Sequence, residues 1–435
     1  MTTLRRATLD FLRSSALAAA FTTVTIGALF STHLLRQLMG DAGYGAIITG
    51  LCVIGAGMIV ARRRELRVFE IMPTLLLLFL LWLLLTVFWS RSTGATLGGW
   101  LQLAAPTFLA VVVAQFRDTL QTVRATGDVL RVLLGGSLAI EILSGILLDL
   151  PVPFLGIAGN LAEGGPIQGL FGTRTMLGLV TILALITFLV EWRTRSVSPG
   201  LSVFSVVLAC LLAVFTDSPI VLGMALIAGL ATGILAIVRR TPPERRTALQ
   251  WAIAGALAIG GILVFTFRRP IVYWLNAEPD FLTRSRLWNE ILDMAALRPV
   301  QGWGWVGSWP DNLMPYYFIR GATGREHGSA LNAWMDVLLQ AGAVGVVLFV
   351  GFAGLALARA WVTASERRST VYTWPALVII TLLADSVVTS SLLGGFGWFL
   401  LVVCATRASL VRGWRSGLDT GPESPGWRMP RGTVS

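Results

Sequence analysis

The chain has 435 residues, 55% of them hydrophobic and 13% charged, with a mean hydropathy of +0.74. Charge that sparse cannot wet the surface of a soluble protein of this size, so lipid must solvate much of it. The formal net charge of +11 comes from arginine, with no lysine. In so apolar a chain arginine belongs in cytoplasmic loops, and the basic balance does not call for a nucleic-acid partner.

About 20 apolar residues are needed to cross the hydrocarbon core. Read with that length, the sequence predicts an all-α integral membrane protein of about twelve helices, at 14–35, 43–61, 70–89, 97–116, 129–149, 175–192, 200–216, 219–238, 250–267, 332–358, 372–391 and 393–410. Only Asp217 and Ser218 separate the seventh from the eighth, which leaves a re-entrant pair open. With the N-terminus inside, 24 of the 34 arginines fall in inner segments. Both termini are therefore expected in the cytoplasm. The division is expected to be helices 1–9 over 1–267, an extracytoplasmic segment over 268–331, helices 10–12 over 332–410, and a disordered tail over 411–435. No cleavable signal is expected, because the first apolar run is long and no clear cleavage site follows it.

Cys52, Cys210 and Cys404 sit in apolar runs without metal-ligand spacing, and read as small core residues. No zinc, Walker or dinucleotide motif is present, so no metal and no cofactor are expected. Glu141 and Asp385 fall inside predicted helices. Each is either a functional intramembrane acid or a buried group paired with arginine or backbone.

The 268–331 segment concentrates polar chemistry, with Arg268, Arg269, Arg284, Arg286, Arg298, Arg320 and Arg325. Arginine on an outer face can contact headgroups, or can form an anion site, since its planar fork suits phosphate. Thr283 is expected to cap a short helix running to about Leu297. Leu287, Trp288, Ile291, Leu292 and Ala295 form its apolar stripe. Arg284 and Arg286 would then occupy a first turn, where the helix dipole favours acids, which points to a role for both. Gly302-Trp303-Gly304-Trp305 reads as a tight turn whose indoles could serve as sugar platforms. His327, one of two histidines, precedes the tenth helix and has a pKa suited to general-base work.

The run Arg284 to Gly345 resembles the signature region of the O-antigen ligase and polymerase superfamily. That pattern has Arg four residues before Trp (Arg284, Trp288), then Pro-x-x-Gly-x-Gly (Pro299 to Gly304), then His-Asn-Ser (His327-Gly328-Ser329), then Glu-x-Gly-x-x-Gly (Gln340 to Gly345). Gly169 to Gly178 resembles an earlier loop motif. The departures are Gly328 and Thr175 where the family has Asn, and Ser218-Pro219 where it has Ser-Arg. The resemblance implies transfer of a glycan from a polyprenyl-diphosphate carrier to a glycan or lipid acceptor, outside the cytoplasmic membrane of a bacterium. It implies that Arg284 binds the diphosphate and that His327 activates the acceptor, without a metal and with inversion. Arg286, Arg174, Trp288, Gly302, Trp303, Gly304, Trp305 and Arg325 are expected to contact substrate, with Arg174 or Arg286 replacing the arginine absent at Pro219. The alternatives are a flippase or transporter of lipid-linked glycan, and a non-catalytic envelope-assembly protein.

Overall fold

The computed structural model describes residues 10–63, 72–162, 164–267, 270 and 278–411. The expected tail beyond 411, and Arg268 and Arg269 with residues 271–277, lie outside the described residues. Fourteen helices are named here in chain order: α1 Ser15–Phe30, α2 Thr32–Ala61, α3 Thr74–Leu85, α4 Thr93–Phe116, α5 Thr119–Ile142, α6 Arg174–Thr194, α7 Pro199–Phe215, α8 Pro219–Arg240, α9 Pro243–Thr266, α10 Glu278–Ala296, α11 Tyr316–Thr323, α12 Ala333–Glu366, α13 Thr373–Asp385 and α14 Gly395–Val411. Among the described residues, seven helices are long and apolar enough to cross a membrane: α2, α4, α5 with its C-terminal turn, α6, α8, α9 and α12. Five shorter apolar helices occupy the remaining expected positions.

Local chemistry sets many of the boundaries. Asp118 and Gln121 form a reciprocal capping box at α5, and Thr173 and Asn332 cap α6 and α12 through backbone N–H groups. Proline at the first helical position opens α7, α8 and α9. The seventh and eighth predicted helices are separate, because Asp217 takes a left-handed conformation (φ 43°) between them. Two helices run on past glycines whose backbone leaves the helical region, α2 at Gly40 and α12 at Gly342.

α14 lies centrally and packs on α4, α12 and α13. Phe79, Phe349, Phe352 and Trp398 interlock there with ring centroids 5.5–6.5 Å apart. α9 differs from the rest: none of its residues is buried, and α8 is its main neighbour. The 268–331 segment has a core of its own over the start of α12, built from residues including Leu287, Ile291, Trp309, Tyr316, Ile319 and Leu339.

Candidate functional site

The two glycine motifs of the signature meet as a clasp. The break at Gly342 deprives α12 of consecutive helical hydrogen bonds, and five of the groups around it find partners elsewhere. Leu339 and Gln340 carbonyls accept from the N–H groups of Trp303 (3.0 Å) and Gly304 (2.9 Å). The N–H groups of Ala343 and Val344 donate to the carbonyls of Pro299 (2.9 Å) and Val300 (3.4 Å). The Ala341 carbonyl accepts from Trp82 Nε1 at 2.9 Å. Buried backbone groups must be paired, so the 299–304 loop is what permits the break.

Gly302 and Gly304 hold positive φ values of 70° and 109°. A side chain on Gly302 would come within 2.6 Å of the Gln340 carbonyl, and one on Gly304 within 2.6 Å of Ser90. Both glycines therefore serve close backbone packing, a demand separate from the substrate contact expected of them. Trp303 and Trp305 are enclosed as well, at 6% and 1% exposed, and in this structure their rings face protein. Their indole N–H groups donate to the carbonyls of Met294 (2.9 Å) and Gly99 (3.2 Å), and Arg298 stacks over Trp303. Tryptophan signals an amphipathic ring in sequence, and here the amphipathic contact is internal.

α10 begins at or before Glu278, so Thr283 is not its cap and Arg284 is not in a first turn. The dipole argument for Arg284 and Arg286 therefore does not hold. What marks Arg284 is its contacts. Its Nη1 donates to the Leu331 carbonyl at 3.1 Å and to the Val388 carbonyl, and the guanidinium lies within electrostatic reach of Asp385. One turn on, Trp288 Nε1 donates to the Ala330 carbonyl at 2.9 Å. Arg284 and Trp288 thus hold adjacent carbonyls of the irregular stretch that follows His327. Leu331 adopts φ 52° there, a conformation that costs a branched side chain energy and must be held in place.

Asp336 and Asn332, neither of them anticipated, fix the same stretch from α12. Asp336, 2% exposed, accepts from Trp309 Nε1 (2.7 Å), the Ala330 N–H (3.0 Å), Gln340 Nε2 (3.3 Å) and the Ser390 hydroxyl. Asn332 Nδ2 donates to the Val387 carbonyl at 2.9 Å. An acid in the first turn of a membrane helix was the available sequence signal. Asp385 accepts from the hydroxyls of Thr389 and Ser391.

His327 is half-buried, and its Nε2 is enclosed without a hydrogen-bond partner. Burial and the nearby Arg325 lower its pKa below the ordinary 6.5. The neutral imidazole, with a free nitrogen lone pair, is the form a general base requires. Arg286 and Arg325 are exposed. Arg286 stands two residues from Arg284 and so points from a different side of α10.

Arg174, exposed at the first position of α6, donates to the Asp217 carbonyl at 3.4 Å. It therefore sits at the turn that carries Ser218 and Pro219. Among the described residues no hydrogen bond joins Arg174 to Arg284 or His327. The loop before α6 is held by Glu141, whose Oε1 accepts from the N–H groups of Gln168 (3.0 Å) and Gly169 (2.8 Å). Of the two readings of Glu141, backbone pairing describes what it does.

Residues 204–350 match the family model described as O-Antigen ligase. The matched span contains Arg284, Trp288, both halves of the glycine clasp and His327, and leaves out Arg174 and the Gly169 loop. Over that span the chain is similar to the O-antigen ligase and polymerase superfamily. No curated protein matches the chain.

Proposed function

We propose that this protein transfers a glycan from a polyprenyl diphosphate carrier to an acceptor hydroxyl at the outer face of a bacterial inner membrane. The observation that carries the reading is the joint placement of Arg284 and His327. Arg284 and Trp288 grip the carbonyls at 331 and 330, and His327, four residues earlier on the same stretch, keeps an unpartnered Nε2.

The acceptor oxygen attacks the anomeric carbon as its proton passes to the His327 imidazole. The bond from that carbon to the diphosphate oxygen breaks, and the electron pair leaves with the diphosphate. A single displacement inverts the anomeric centre. Arg284 stabilises the charge that develops on the leaving group, a task that a preorganised guanidinium performs without a metal. Its backbone contacts hold the fork in place before substrate arrives. Arg174, at the Ser218-Pro219 turn, takes the part of the arginine absent there and binds the second phosphate, while Arg286 and Arg325 strengthen the local positive field. In this reading twelve helices cross the membrane, both termini are cytoplasmic, and segment 268–331 faces outward.

The test is product formation in cells lacking the native gene and complemented with variants, with membrane insertion checked by immunoblot. Arg284→Ala and His327→Ala should each abolish polymer transfer while insertion stays normal. Full activity in both variants sinks the reading.

A further inference from the structure

Trp303, Trp305 and Trp309 are all buried, so the exposed aromatic surface among the described residues of the 268–331 segment lies elsewhere. It lies on α11. Tyr316 and Ile319 turn inward from that helix, whereas Tyr317 and Phe318 are 55% and 49% exposed. Their rings meet edge to face at 5.7 Å, which makes an apolar corner open on one side. Two exposed aromatics side by side at the end of a polar segment form a patch that a ligand could cover.

We propose that the Tyr317–Phe318 corner is the platform on which the acceptor carbohydrate stacks. The proposal rests on the transferase reading above and assigns its acceptor side. A pyranose has an apolar C–H face and a rim of hydroxyls, and the corner has the matching parts. The rings supply the apolar surface. Arg320 lies over the Tyr317 ring at 6.0 Å and pairs with Glu326 at 3.4 Å, so a donor and an acceptor line the rim. That ion pair is solvent-exposed and weak, and hydroxyls can exchange into it. α11 ends at Gly324 in a left-handed turn, and Arg325 and Glu326 then lead directly into His327. A sugar stacked on the corner is thereby placed beside the base that would take its proton. Asp311, Asn312 and Arg325 are exposed around the same region, a polar surrounding that suits a glycan and not acyl chains.

The experiment uses full-length protein in nanodiscs. The probe is oligosaccharide released by mild acid from the envelope of the source cells, observed by saturation-transfer-difference NMR. Wild type should give signals from sugar ring protons. The Tyr317→Ala/Phe318→Ala pair should bind at least about tenfold more weakly, while Tyr317→Phe/Phe318→Tyr should restore binding. Absence of signals in wild type, or signals unchanged in the alanine pair, overturns the platform. The two readings can fail separately. Arg284→Ala and His327→Ala should lose transfer yet keep the sugar signals. If both retain transfer while the alanine pair still loses binding, the catalytic reading falls and the platform stands.

Discussion

Arg284 and Trp288, one helical turn apart on α10, donate to the carbonyls of two consecutive residues, Leu331 and Ala330. The relationship turns a sequence spacing into a mechanical one. Side chains four apart lie on one helix face, and here that face grips the stretch between the candidate base and α12. In the proposed reading an arginine in this position acts twice, through its charge toward substrate and through its donors toward backbone.

The double role separates two substitutions. Arg284→Lys keeps the charge but loses the fork, so transfer should fall by about ten- to a hundredfold with normal insertion. Trp288→Phe removes the bond to Ala330 together with part of the ring's packing, and should lower unfolding stability by about 1–2 kcal/mol. Product assays and thermal unfolding in detergent measure the two. Equal activity of Arg284→Lys and wild type would show that the fork geometry is not needed.

The pH dependence of transfer should report His327. Its pKa is depressed by burial and then by Arg325, so the neutral base survives to lower pH than a free imidazole would. The acidic limb of the rate profile should therefore lie below pH 6.5. Removing the neighbouring cation makes protonation easier and raises the pKa, so Arg325→Gln should shift that limb toward higher pH. A limb that stays in place in Arg325→Gln would break the link between the two residues.

The glycine clasp makes a prediction about folding. Gly302→Ala forces a Cβ into a left-handed conformation and against the Gln340 carbonyl. It should cost about 2 kcal/mol or more, and reduce the yield of folded protein. Gly233→Ala on α8 meets open space and should be neutral or slightly stabilising. Size-exclusion profiles and unfolding midpoints of the two variants give the comparison.

The helices are legible in the sequence because apolar length is a direct consequence of bilayer thickness, and an apolar helix stands at each expected position. Of the expected stripe on α10, Leu287, Ile291 and Ala295 are buried and Trp288 packs partly against them, since helical spacing gathers them on one face, whereas Leu292 is exposed. The roles of Trp303 and Trp305 are not legible. A tryptophan that stacks on sugar and one that fills a core have the same local spacing, and only the fold decides which surface covers the ring. Gly302 and Gly304 are ambiguous likewise, because close approach to a ligand and close approach to a neighbouring backbone both require glycine. The contribution of Asp336 depends on groups brought from Trp309, Ala330 and Ser390, which no local pattern connects.

Gln340 gives the last test, because the resembled motif has Glu at this place. Its Oε1 accepts from the N–H groups of Val306 (2.8 Å) and Gly307 (3.0 Å), while its Nε2 donates to the Gly307 carbonyl (3.1 Å) and to Asp336 Oδ1 (3.3 Å). An amide satisfies both directions at once. An ionised Gln340→Glu variant would turn an acceptor toward the Gly307 carbonyl and bring a second negative charge against buried Asp336. The variant should lose about 2–3 kcal/mol at pH 8, and recover part of that loss at pH 5, where one of the two carboxyls can take a proton. Gln340→Leu removes all four bonds and should be destabilised by a similar amount at both pH values. Unfolding midpoints at the two pH values distinguish these outcomes, and a Gln340→Glu variant as stable as wild type at pH 8 would mean that the donor side of the amide is dispensable to the clasp.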